Sequence, residues 1–333
     1  MILNHSRADL FRACSRKAQL TYEKGLVSNR IPDYFTTGGS VHKGLAVYAA
    51  TGNVESAIKE ALEEFEKRLD GQDLLPEEMS EINVQRTLTQ VAIKEYAHYF
   101  EKDQVQVIQP EVRFCVPLPE TEHHCYYLHR LLWPNVSFFE CGSEACVSPH
   151  YYAGITDAVV QWNRMIWLME HKTSGARDRR TYFRTYMMDS QITGYIYGIH
   201  KKIGLRPHGA IVNVIFKPAK NASNRFSVEF EREPFLRTEQ DLHEFEKEIS
   251  ITAFDYEEAM VNDRTTKNDQ ECIRYSYVCQ FHKICLAHGE YSAESFRKRE
   301  TDYIDEFWKE VVKERSDMYG LSGNLSRVQG ATL

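Results

Sequence analysis

Two stretches of the chain carry the clearest helical pattern. In "VESAIKEALEEFEKRL" (54–69) and "SEINVQRTLTQVAIKEYAHYFEK" (80–102), apolar residues return every three to four positions between charged ones. That period predicts amphipathic helices with one buried face. Residues 6–26 read the same way, with Ser6 as N-cap, Leu10, Phe11, Cys14 and Ala18 on one stripe, and Gly25 as the stop. Helices are also predicted at 38–50, 181–202, 238–261 and about 292–318. Alternating or continuous apolar runs predict strands in "QVIQPEVRFCVPL", "HGAIVNVIFKP" and "FSVEFEREPF". Residues 119–150 read as a loop-rich insertion and 321–333 as a flexible tail. The order implies an α/β chain, a small mixed sheet flanked by helices.

The segment "AGITDAVVQWNRMIWLMEHKTSG" (153–175) breaks its own pattern. It predicts two apolar strands joined at Asn163–Arg164, yet it carries Asp157, Glu170 and Lys172. Side chains in a strand alternate faces, so Glu170 and Lys172 share one. A two-residue turn pairs Trp162 with Met165 and sets Asp157 opposite Glu170. Two neighbouring carboxylates repel unless a cation lies between them, and an oxygen-rich set suits Mg²⁺ or Mn²⁺. A lysine two residues away can hold or deprotonate a water, or stabilise charge on a phosphate. Spacing alone is equally consistent with a surface salt-bridge cluster.

Composition leaves this open. The chain has 333 residues, 42% hydrophobic and 27% charged, with a formal net charge of −7. That balance opposes nucleic-acid binding only weakly, because a groove needs no more than a local basic lining. "SGARDRRTYFR" supplies one in Arg177, Arg180 and Arg184, interleaved with aromatics just after the Glu-x-Lys strand. An N-terminus without a long apolar run, and no span of membrane length, predict an intracellular protein with no membrane partner. No Walker-type phosphate loop is present, so the chain is not itself a helicase.

Together "GITD" and "EHK" resemble the motif core of the PD-(D/E)XK nucleases, in particular the RecB-like branch. "GGSVHKGLAVY" resembles that branch's Gly-x-x-x-His helix and "DSQITGYIYG" its Gln-x-x-x-Tyr helix. The Pro that gives the family its name is Thr156 here. The resemblance implies a restriction-endonuclease-like core in a single domain over 1–320. It implies a metal site of His42, Asp157, Glu170 and the carbonyl of His171, with Lys172, Gln191 and Tyr195 completing the catalytic set. Glu111, on the strand before the hairpin, is a weaker candidate. The implied activity is a Mg²⁺- or Mn²⁺-dependent deoxyribonuclease, an exonuclease on DNA ends or single strands, in a phage or prokaryotic setting. A helicase, a recombination protein or a CRISPR adaptation protein is the implied partner. A non-catalytic DNA-binding or assembly module of the same fold is the alternative, and a zinc-stapled scaffold a third.

Of eight cysteines, Cys14 lies early and Cys272, Cys279 and Cys285 lie late. An intracellular chain has little use for a disulfide framework. The layout resembles RecB-like nucleases whose early cysteine and three late ones hold a [4Fe–4S] cluster. Thiolates suit zinc as well, so zinc is the alternative ion at these four. Either would join the N- and C-terminal segments. Cys115, Cys125, Cys141 and Cys146 could form a second site with His123 and His124, but their spacing fits no known finger.

Overall fold

The computed structural model describes residues 1–28, 33–70, 78–119, 150–218, 226–274, 277–288, 296–299, 304, 307 and 309. The predicted insertion (from 120 to 149, with Cys125, Cys141 and Cys146) and the tail fall outside them.

One sheet organises the described chain. Its strands are β1 (Ile2–Leu3), β3 (Gln106–Pro117), β4 (Tyr151–Trp162), β5 (Met165–Ser174), β6 (Gly209–Phe216) and β7 (Glu229–Leu236), in the order β1-β4-β5-β6-β7 with β3 also on β4. Helices α3 (Asp33–Thr51), α4 (Val54–Leu69) and α5 (Met79–Tyr99) pack together on one side of it. The other side is covered by α1 (His5–Ala13), α7 (Ser190–Ile203) and α8 (Glu239–Val261). The main core lies on that second side. There Phe114, Tyr152, Leu168, Val212 and Val214 of the sheet meet Ile192, Ile196 and Tyr197 of α7 and Phe245 of α8. Strand β6 is buried at all eight positions, as expected of a strand covered on both faces.

Strand β4 decides where chemistry can occur. Along one edge it pairs with β3 over nearly its whole length. Its other edge is shared. β1 pairs in parallel at Tyr151 and Tyr152, and β5 pairs antiparallel from Ala158 to Trp162. Between those stretches, residues 153–157 have no strand partner on that edge among the described residues. β5 leaves β4 after Met169 and continues beside β6, where Glu170 pairs with Val212 and Lys172 with Val214. The sheet therefore forks at Asp157.

The hairpin register is the one the sequence implies: Trp162 opposite Met165, with Asn163 at φ 50° and Arg164 at φ 63°. Two positive φ values make the twisted turn that suits tight hairpins.

Several predicted helices are corrected. The stretch 6–26 is not one helix. α1 ends at Ala13, Cys14 is extended (φ −162°, ψ 105°), α2 runs Ser15–Ala18, and a wide turn of π type spans Gln19–Glu23. The N-cap is Asn4, which accepts from Arg7 N at 2.7 Å, rather than Ser6. An apolar stripe cannot register a single extended residue, and the carbonyl of Ala13 freed there is bonded by Asn268 Nδ2 at 2.8 Å.

Likewise 181–202 divides into α6 (Arg179–Arg184), a 3₁₀ turn (Thr185–Met188) and α7, parted at Asp189. Buried Arg237 makes this break tolerable by donating to the carbonyls of Tyr186 and Asp189. The helix placed near 292–318 does not begin there: the described residues 304, 307 and 309 are helical, but before them Phe296–Lys298 form a strand, β8, antiparallel to β2 (Leu26–Ser28). Ring stacking of Phe296 on Phe281, 5.5 Å between centroids, fixes it there. Among the described residues no helix is long and apolar enough to cross a membrane.

Candidate active site

The fork gathers side chains from both helical layers. From α3, His42 Nδ1 lies 3.0 Å from Asp157 Oδ1. Asp157 Oδ2 accepts the backbone N–H of His171 at 2.7 Å. That amide points into the gap because β5 has already parted from β4. From β5, Lys172 Nζ donates to Glu170 Oε1 at 2.7 Å. From α7, Gln191 Oε1 accepts from the same ammonium at 2.8 Å, and Gln191 Nε2 donates to Tyr195 Oη at 3.0 Å. The fork thus unites His42, Asp157, Glu170, His171, Lys172, Gln191 and Tyr195. Asp178 caps α6 beyond them, and Arg177, Arg180 and Arg184 are exposed around that helix.

Glycines make the approach possible. A Cβ on Gly154 would lie 2.7 Å from Phe114 Cζ and 2.8 Å from Tyr195 Cε1. The glycine of the Gly-x-x-Asp strand therefore gives Tyr195 its place. Gly38, one turn before His42, lets α3 approach β5: a Cβ there would be 3.3 Å from Thr173 Oγ1.

Electrostatics separates the two acids. Burial opposes ionisation of Asp157, but the His42 ring and the His171 N–H hold its carboxyl well below the usual range. Burial, the strongest influence on Glu170, pushes it up to about 7 against the pull of Lys172. Burial also works against the Lys172 cation, yet the Glu170 carboxylate more than offsets this and raises its pKa. The same balance, desolvation against Asp157, leaves His42 raised. His171 is driven down to about 3, chiefly by burial.

The neutral His171 ring is held by a network the sequence reading missed. Asn213 Nδ2 lies 3.0 Å from His171 Nδ1, and Asn213 Oδ1 accepts from Arg232 Nε at 2.7 Å. Arg232 also pairs with Asp103, donates to Tyr96 Oη at 3.0 Å and stacks over Phe100. One signal was present: Asn213 is the lone polar residue in "GAIVNVIF". A buried amide in an apolar strand must satisfy a partner.

Among the described residues, no three His, Cys, Asp or Glu side chains are closed around one point as metal ligands would be. At the fork the polar atoms pair with one another instead. The donor types still suit a hard divalent ion: the fork carries the carboxylates of Asp157 and Glu170 and the imidazole of His42. Glu111 adjoins the fork with φ 44° in the middle of β3, a left-handed conformation that L-residues adopt at a cost of about 1–2 kcal/mol. It lines an open cleft beside His42 and Lys172.

On the flank of the fold, Cys14, Cys272, Cys279 and Cys285 line one small space. Cys14 Sγ reaches Thr266 O at 3.7 Å, and Cys279 N donates to Cys272 O at 2.8 Å. Burial, and then the neighbouring thiols, push the Cys285 thiol up. Cys115 is elsewhere, packed beside Ile2, Tyr151 and Phe307.

No curated protein matches the chain. Among solved structures, that of SSO0001 is similar at 13% identity, covering 63% of this chain and 78% of that one, with a TM-score of 0.28, too low to carry weight. A family model of the PD-(D/E)XK nucleases matches residues 2–286, a span that includes the whole fork and the four clustered cysteines. The chain belongs to the PD-(D/E)XK nuclease superfamily.

Proposed function

We propose that the protein is a metal-dependent deoxyribonuclease, an exonuclease acting on DNA ends or single strands. Superfamily membership supports phosphodiester hydrolysis with Mg²⁺ or Mn²⁺. The observation that carries the reading is the meeting of Asp157, Glu170 and Lys172 at the fork with His42 and Gln191. His42, Asp157, Glu170 and the carbonyl of His171 are the groups that would hold the ion. When bound, it supplies Lewis-acid polarisation of the scissile phosphate.

Lys172 orients the attacking water. Glu170 and Gln191 engage its ammonium, and an ammonium has three donors, so one remains for water or a phosphate oxygen. Because its pKa is raised, it serves as a cation and positioning donor rather than as a base. Tyr195 acts through Gln191, fixing the amide that fixes the lysine. Arg177, Arg180 and Arg184 lie exposed beyond β5 and hold the strand by its phosphates. The four clustered cysteines hold a [4Fe–4S] cluster that ties α1 to the segment after α8, a purely structural role. The sharing of one space by these thiols supports it.

The test is degradation of end-labelled single- and double-stranded DNA by anaerobically purified protein with Mn²⁺, together with iron and sulfide analysis. Lys172→Ala is expected to lose about 10²–10³-fold in rate while still binding DNA. Cleavage by that variant at the parent rate would remove the assignment. DNA binding without cleavage by the parent would favour a non-catalytic module, and stoichiometric zinc in a colourless protein would exclude the iron–sulfur cluster.

A further inference from the structure

An open cleft of about 650 Å³ adjoins the fork, its walls including Gly38, Gly39, His42, Lys43, Arg68 and Lys172. His42 and Lys172 belong to the catalytic set, so the cleft is its direct continuation. Three features make it unlike an ordinary surface hollow. First, Lys43 is half-buried on the wall, and among the described residues it has neither a carboxylate partner nor a side-chain hydrogen bond. By contrast Arg68 is engaged with Glu64 at 2.7 Å, and Lys172 with Glu170. An ammonium without a counter-charge at the wall of an open cleft is available to a visiting anion. Second, the backbone of Gly38 and Gly39 lines the wall beside it, Gly38 packed toward Thr173 and Gly39 under the Arg68 guanidinium. A Cβ at Gly39 would meet the Arg68 guanidinium at 2.4 Å, so that wall admits no larger residue while Arg68 stays in place. Third, Lys43 directly follows His42 on α3, so its position is tied rigidly to the reacting centre.

We propose that this cleft seats the phosphodiester adjacent to the scissile one on a single nucleic-acid strand, with Lys43 as its counter-charge and the Gly38–Gly39 backbone as its wall. The inference rests on the nuclease reading above and adds the path of the strand. Lys43 is a substrate-positioning residue. Its ammonium has no lone pair to offer a metal ion, and it acts on ground-state binding.

The experiment combines protein and substrate changes. Steady-state cleavage of a labelled oligonucleotide with Mn²⁺ is measured for the parent, Lys43→Ala and Lys43→Arg. A second set of oligonucleotides carries one neutral methylphosphonate at either phosphate flanking the scissile bond. Lys43→Ala is expected to raise KM about tenfold at constant kcat, as loss of one charge-assisted contact in partial solvent should. Its dependence of log KM on log salt should fall by about 0.7, one phosphate of a single strand. Lys43→Arg should stay near the parent. The methylphosphonate at one flank should raise the parent's KM to the same degree and add nothing to Lys43→Ala. Additive penalties at both flanks, or an unchanged KM and salt slope in Lys43→Ala, would overturn the assignment of Lys43 while the parent's cleavage and its loss in Lys172→Ala leave the nuclease reading intact. A parent inert on every substrate would overturn both.

Discussion

Replacing Gly154 by Ala tests the link between the sheet and Lys172, the lysine proposed to orient the attacking water. The added methyl would meet Phe114 Cζ at 2.7 Å and Tyr195 Cε1 at 2.8 Å, well inside contact distance. Phe114 cannot retreat easily, because its ring already fills the space beneath Gly198, where a Cβ would lie 2.2 Å from it. Tyr195 must therefore move. Overpacking of this kind costs about 1–3 kcal/mol. For a chain of this length that corresponds to a fall in Tm of roughly 1–4 °C. The functional effect follows a separate route. Displacing Tyr195 Oη loosens Gln191, whose other end holds Lys172 Nζ at 2.8 Å. Misplacing a positioning group by an ångström can cost about 10²-fold in rate, so kcat should fall by about 10–10²-fold with metal affinity nearly intact. Thermal unfolding and single-turnover cleavage measure the two effects. Gly175→Ala, where nothing lies within 4 Å, is the control. Adding Phe114→Leu to the Gly154→Ala variant should restore part of the rate by giving the methyl room. A Gly154→Ala protein with parental Tm and kcat would refute the packing argument.

Further outcomes follow from the site and its supports. Glu170 is held at about 7, so below that value it is protonated and must lose its proton to bind an ion; Mn²⁺ affinity should fall from about pH 8 to about pH 6 with proton release, and Glu170→Gln should abolish the release, as calorimetry in buffers of different ionisation enthalpy would show. Asp157 is held below the usual range and contributes nothing to that window. Asn213→Ala removes both the amide on His171 and the acceptor of Arg232, and should cost about 1.5–3 kcal/mol in denaturant melts along with weaker Mn²⁺ binding. Asn4→Ala should destabilise by about 0.5–2 kcal/mol through loss of the α1 cap, while Ser6→Ala should be close to neutral.

How much of this was legible in the sequence differs by element. Period and turn chemistry were enough for α4, α5, α8 and the hairpin, because each of those elements is long and locally consistent. They also gave the register from Trp162–Met165 back to Ala158–Met169, but the next pair it implies, Asp157 opposite Glu170, is not formed, because β5 has left β4 by that point and Glu170 lies beside Val212. The breaks at Cys14 and Asp189 were hidden. Each is a single extended residue, and what makes it tolerable is distant: Asn268 for one, Arg237 for the other. Strands β1 and β2, two and three residues long, are too short to show any period. The fork itself was invisible, because β5 continues past the end of its ladder with β4 only through its pairing with β6 along the opposite edge. So was the Arg232 network, which joins residues from three separated segments.

The tight turn at Asn163–Arg164 carries a consequence beyond its own two residues. It acts as a parity lock on the acids below it. A change in length there by one residue, if the ladder slides to absorb it, carries Glu170 and Lys172 to the reverse side of β5 relative to Asp157, and leaves a hairpin of equal composition without a cation-binding mouth. A change by two residues preserves sidedness. Insertions and deletions at this tip should therefore be tolerated in even steps and silenced in odd ones, a pattern of inheritance written by pleat geometry rather than by any residue's chemistry.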